Sequence, residues 1–101
     1  MANQILLSGV IATGASPALS LSSADFTVQA SGFVTASTGA ATIKVQVSND
    51  GTNWIDLGTI TLTLGTTVTS DGIAAHAKWA LIRANVTAIS GTNAAVTVTV
   101  N

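Results

Sequence analysis

The chain holds a single imidazole, His76, and its acids are four aspartates, Asp25, Asp50, Asp56 and Asp71. A hydrolytic triad would need His76 to meet one of these aspartates and a serine, and nothing around any serine reads as a nucleophile elbow. Paired carboxylates for glycoside hydrolysis would fall to Asp50 and Asp56. They lie across a hairpin, with no apolar run that would raise one pKa. Asn49, Asp50 and Asn53 set oxygen donors in a glycine-containing loop, which suits calcium, but the bidentate glutamate and third acid of an EF-hand loop are missing. An Asx-rich turn bonding its own backbone accounts for the same residues. Trp54 and Trp79 offer rings that stack on sugars or bases; packing at the core or its edge, or burial between subunits, are the competing assignments. The row Thr59, Thr61 and Thr63 is the ordinary outward face of a strand, since an ice-binding surface needs several such rows. The expectation is no catalytic residue, no cofactor and no metal, with Trp54, Trp79, His76 and Arg83 as the contacts for an interface or a ligand.

The elements that position these groups are strands. Over residues 42–48, Ile43, Val45 and Val47 alternate strictly with Thr42, Lys44, Gln46 and Ser48, which is the period of a half-buried strand. The alternation returns over 59–64, where Ile60, Leu62 and Leu64 share a face, and over 94–101, where Val96, Val98 and Val100 do. Residues branched at Cβ fit such a pleated surface. Less regular strands are expected over 4–12, 18–21, 25–34 with a bulge at Gly32, and 78–89. In the last of these, Ala80, Ile82, Ala84, Val86 and Ala88 share one side. Residues 73–78 read as loop or short strand, too few to nucleate a helix alone. Asn49-Asp50-Gly51-Thr52-Asn53 is the strongest hairpin signal. Ser37-Thr38-Gly39, Gly65-Thr66-Thr67, Ser70-Asp71-Gly72 and Ser90-Gly91-Thr92-Asn93 read as further breaks. Trp54 shares the face of Ile60 and Leu62 only if the register does not shift near Gly58. Some seven to nine strands in one domain over 1–101 predict an all-β chain, an antiparallel two-sheet β-sandwich of jelly-roll or immunoglobulin-like type.

Charge then narrows the function. Only 7% of residues are charged, against roughly 25% in an average soluble domain. Three cations cannot supply an electrostatic nucleic-acid interface or a polybasic membrane anchor. The lack of cysteine removes a disulfide framework and fits synthesis in a reducing cytoplasm. No stretch reaches the apolar length of a membrane helix, and the uncharged Met1-Ala2-Asn3-Gln4 start does not read as a signal peptide. No enzyme is expected. A skin of Thr, Ser, Asn and Ala with a net charge of -1 lacks the repulsion that keeps monomers apart. The expectation is therefore a homo-oligomer, a dimer or trimer, or a component of a larger lattice, with Lys44, Lys78 and Arg83 as the guards of its strand edges.

The run Ile43-Lys44-Val45-Gln46-Val47-Ser48-Asn49-Asp50-Gly51-Thr52-Asn53-Trp54-Ile55-Asp56-Leu57, the later Ala77-Lys78-Trp79-Ala80-Leu81-Ile82-Arg83-Ala84-Asn85-Val86-Thr87 and the terminal Val-Thr-Val-Thr-Val carry a resemblance. Together they look like small tailed-bacteriophage virion proteins, and are similar to the β-sandwich decoration, or cement, proteins that sit on capsids. The resemblance implies a non-enzymatic, oligomeric protein on the capsid surface of the virion, clamping neighbouring major capsid protein subunits against internal DNA pressure. The string Ser-Asn-Asp-Gly-Thr-Asn-Trp also resembles discoidin-type carbohydrate-binding sandwiches, which are longer chains. A carbohydrate-binding module and a tail or baseplate accessory protein are thus the alternatives. Neither resemblance transfers a binding residue to a numbered position.

Overall fold

Each strict alternation in the sequence becomes a strand with one face buried. The computed structural model describes residues 4–21, 25–76 and 79–101. Met1 to Asn3 and Lys78 lie outside the described residues, and with them the expected edge guard at Lys78. The strands are β1 (Gln4–Val10), β2 (Gly14–Ala15), β3 (Leu19–Ser20), β4 (Asp25–Phe33), β5 (Ala36–Ser48), β6 (Ile55–Leu64), β7 (Thr69–His76), β8 (Leu81–Thr92) and β9 (Ala95–Val100). They form a four-stranded sheet in the order β1-β9-β4-β7 and a second sheet in the order β2-β8-β5-β6, to which β3 also belongs through β8. Ile43, Val45 and Val47 from β5 meet Val28 and Ala30 from β4 and Val96 and Val98 from β9 in one buried core. Burying each such Val, Leu or Ile stabilises the fold by about 1.5–3 kcal/mol.

The strand order settles the topology between the two sandwich types. β2 and β3 pair the same strand, β8, and are two pieces of one strand interrupted at Ser16 and Pro17. Proline has no N–H for the ladder. Ser16 bridges the gap: its N–H donates to the Ala84 carbonyl at 2.7 Å and its Oγ accepts from the Ala84 N–H at 3.0 Å. Counted as one strand, the pair completes an eight-stranded set in which all described pairings are antiparallel and every connection except β5–β6 crosses between sheets. That winding is a jelly roll, not an immunoglobulin arrangement.

Several expected breaks turn out to be strand, and close packing explains them. Gly32 makes no bulge: β4 runs in unbroken register up to it against β7 and through it against β9. A Cβ there would lie 2.7 Å from Leu64 Cδ2, so glycine admits the opposite sheet. Ser70-Asp71-Gly72 lies within β7, and Gly72 is small because a Cβ would lie 2.7 Å from the Val28 carbonyl. Ser37-Thr38-Gly39 is an irregularity within β5, with Ser37 at φ 64°. Of the last expected break, Ser90, Gly91 and Thr92 belong to β8, and the chain turns at Asn93, φ 49°.

Two single-residue bulges on the five-stranded sheet reset its faces. On β8 the extra residue is Thr87, so Ala88 lies opposite Thr42 on the outer face and leaves the side shared by Ile82, Ala84 and Val86. On β6 the extra residue is Leu57, between Gly58 opposite Val45 and Asp56 opposite Gln46. The register therefore shifts, and Trp54 is turned away from the face of Ile60 and Leu62.

Candidate interaction surfaces

The two sheets present unlike outer faces. On the five-stranded sheet, Lys44 and Gln46 of β5, Asp56 of β6 and Arg83 of β8 stand in adjacent register positions. Lys44 Nζ donates to Asp56 Oδ2 at 3.2 Å, and Gln46 Nε2 donates to Asp56 Oδ1 at 2.8 Å. Arg83 Nε donates to Gln46 Oε1 at 2.8 Å, and its guanidinium lies 4.3 Å from the centroid of the Trp54 ring. The chain of contacts thus runs unbroken from Lys44 to Trp54. The Gln46 amide and then Lys44 hold the Asp56 carboxyl below its ordinary pKa.

The turn beside this row is self-contained. Asp50 Oδ1 accepts from the N–H groups of Thr52 at 2.8 Å and Asn53 at 2.9 Å, and from Ser48 Oγ at 2.9 Å. Asp50 Oδ2 accepts from Asn53 Nδ2 at 3.0 Å. These donors, led by the Asn53 N–H, hold the Asp50 carboxyl far below the usual carboxylate range. Asn49 turns elsewhere, its Oδ1 accepting from the Ala80 N–H at 3.0 Å. Of the oxygen donors that suggested calcium, Asp50 is thus spent on the turn and Asn49 on Ala80, just before β8. No group of three or more acids, His or Cys converges among the described residues.

The outer face of the four-stranded sheet is nearly bare of charge. Thr27, Gln29 and Ser31 of β4 alternate across the register with Thr97 and Thr99 of β9 and with Ser70 and Ala74 of β7. Four of its hydroxyls are bonded sideways: Ser31 Oγ and Ser70 Oγ lie 2.8 Å apart, Thr97 Oγ1 accepts from the Gly9 N–H at 3.1 Å, and Thr27 Oγ1 donates to the Asn101 carbonyl at 3.3 Å. Ile5, 61% exposed, and Phe33, 40% exposed, stand at opposite ends. Among the described residues its ionisable groups are Asp25 and His76, facing one another at one corner where β4 and β7 begin and end. His76 Nδ1 and Asp25 Oδ1 share a short hydrogen bond. That bond and the carboxylate charge raise the His76 pKa. Asp71 has the register of inward Ala30 but is exposed along the β7 edge.

The four residues singled out in the sequence are therefore not one site. Trp54 and Arg83 stack on the five-stranded sheet, while His76 sits on the opposite sheet. Trp79, half-buried, packs against the core. The His76–Asp25 pair supplies two parts of a triad, but among the described residues no hydroxyl is bonded to the ring. The depression beside it, about 440 Å³, is shallow and lined by Phe26, Ala74, Ala75 and Asn101 among others. What the sequence reading missed is the contrast between faces, for which the signal was the placement of Lys44, Asp56 and Arg83 on strands of a single sheet. Comparison with protein-family models, with curated proteins and with solved structures finds no match.

Proposed function

We propose that the protein is a non-enzymatic virion structural protein of the capsid decoration, or cement, kind, which lies on the major capsid subunits through the outer face of its four-stranded sheet. The observation that carries this reading is that face, uncharged away from one corner and with the hydroxyls of Thr27, Ser31, Ser70 and Thr97 already bonded to neighbouring backbone or side chains. Interface cores are poor in charged residues because each charge must be stripped of water. Hydroxyls that already have partners lose little when covered, and Ile5 and Phe33 provide apolar anchors at either end. The opposite face, with Lys44, Asp56 and Arg83, keeps the outer side of the shell hydrated. A jelly roll occurs in capsid proteins and equally in lectins and cupins, so the architecture alone favours none of them. The sugar-binding alternative needs an open indole face; one face of Trp54 is covered by Arg83, and Trp79 packs on the core.

The test is the composition of purified virions that encode the chain. The protein is expected at a fixed ratio to the major capsid protein, and particles stripped of it should regain resistance to heat or osmotic shock when it is added back. Particles without it overturn the reading.

A further inference from the structure

We propose that two copies of the chain join edge to edge through β6, antiparallel about a two-fold axis at Thr61. A strand at a sheet edge has alternate backbone N–H and C=O groups without a ladder partner, and proteins that remain single blunt such edges with bulges, prolines, shortness or inward charges. Three edges here are blunted in those ways. β1 has two register shifts against β9. β2 and β3 are two residues each, split at Pro17. β7 carries Asp71 at an inward register position. The part of β8 beyond β2 is bulged at Thr87 and flanked by Ile11, which lines a depression with Ile89 and Ser90.

β6 is different. After the bulge at Leu57, residues 58–64 run in unbroken register with β5 and have no strand on the other side, where the Thr63 carbonyl accepts from Thr69 Oγ1 at 3.0 Å and keeps a second lone pair. Not one charged residue occurs from Leu57 to Ser70. Lys44, expected to guard an edge, sits on the interior strand β5 and is bonded to Asp56.

What fits this edge is a second copy, because the edge is self-complementary in the way a two-fold requires. Pairing about Thr61 sets Thr61 opposite Thr61 and Thr59 opposite Thr63, a favourable class of cross-strand pair with no like charges opposed. Two large apolar residues flank the edge, Ile55, 52% exposed, at its start and Val68, 59% exposed, just past its end. Antiparallel pairing brings the start of one β6 beside the end of the other, so each Ile55 is set near the other copy's Val68. A paired stretch of about 23 Å covers less than the roughly 800 Å² per partner of a standard stable interface, so the dimer should dissociate on dilution. An axis normal to the sheets leaves both uncharged faces on the same side. The pairing itself does not depend on the capsid reading.

The chain has no cysteine, which makes the test direct. Sedimentation of the full chain should show a concentration-dependent monomer–dimer equilibrium. Thr61→Lys, an exposed change that sets two cations against each other, should yield monomer with an unaltered circular dichroism spectrum. Thr61→Cys should cross-link to a dimer under mild oxidation, whereas Thr27→Cys on the uncharged face should not. A monomer at every concentration, a trimer, a dimer that survives Thr61→Lys, or cross-linking through Thr27→Cys alone overturns the proposal. Failure to find the protein on virions would leave these outcomes unchanged.

Discussion

The outer faces of the two sheets are built from the same strand alphabet, yet they use it for opposite ends. On the five-stranded sheet one aspartate, Asp56, gathers Lys44 and Gln46, and Gln46 passes the contact on to Arg83 and Trp54. On the four-stranded sheet Thr27, Ser31 and Thr97 bond to near neighbours, and Gln29 is the one long uncharged polar side chain of β4 on that face. The first face keeps its charges hydrated and ordered; the second has little to lose when water leaves. The difference teaches that low overall charge need not be spread evenly. Here the few charges are arranged so that one side can be covered cheaply.

The comparison breaks most readily on the uncharged face. A Thr97→Lys, Thr99→Lys double variant puts two unpaired cations where the face is proposed to dock. Burying them without partners costs about 3–5 kcal/mol, so co-sedimentation with stripped capsids should weaken by at least about a hundredfold. The unfolding midpoint should fall only slightly, by the loss of the exposed Gly9 N–H bond to Thr97 Oγ1, because both side chains point away from the core. Undiminished attachment would show that another surface makes the contact.

The networked face should behave in the reverse sense. Trp54→Ala removes the ring beneath Arg83 together with its packing, and should lower stability by about 1–2 kcal/mol while leaving capsid attachment intact. A double-mutant cycle with Arg83→Ala should give a coupling of about 0.5–1 kcal/mol. Purely additive losses would mean that stacking contributes nothing beyond area. In the adjoining turn, Asp50→Ala should lower the unfolding midpoint more than Asp50→Asn, since the amide oxygen can still accept from the Thr52 and Asn53 N–H groups. Equal losses from the two would point to charge instead of hydrogen bonding.

How much of this was legible before the structure follows from the range of the forces involved. Strands with one buried face, such as the row Ile43, Val45, Val47, announce themselves by local alternation, and so did the Asn49–Asn53 turn. Glycines misled because their reason is remote: Gly32 makes room for Leu64 and Gly72 for the Val28 carbonyl, neither near in sequence. The bulges at Leu57 and Thr87 depend on partner strands, and one extra residue reversed the face of Trp54 and of Ala88. Trp54 and Arg83 could be singled out by type but not paired, since strand order decides which rows become neighbours. The winding as a jelly roll was open between two topologies for the same reason.

The smallest expected effect lies at the one ionic corner of the uncharged face. The hydrogen bond that the His76 ring donates to Asp25, and the Asp25 charge, raise the His76 pKa above the ordinary imidazole value of about 6.5. A raised folded value means that the pair's stabilisation is fully present below the unfolded pKa and fades as pH rises through the folded one. Both groups are exposed, so solvent screens the gain and the stability change across that window should be slight. The His76 ring resonances, followed by NMR, should titrate with a midpoint above 6.5, and Asp25→Asn should bring it back toward that value. If capsid attachment followed the same titration, the corner would belong to the docking contact; because the rest of the face is uncharged, attachment is expected to stay level while the ring changes charge. A His76 midpoint at or below 6.5 would mean that the Asp25 contact does not persist in solution.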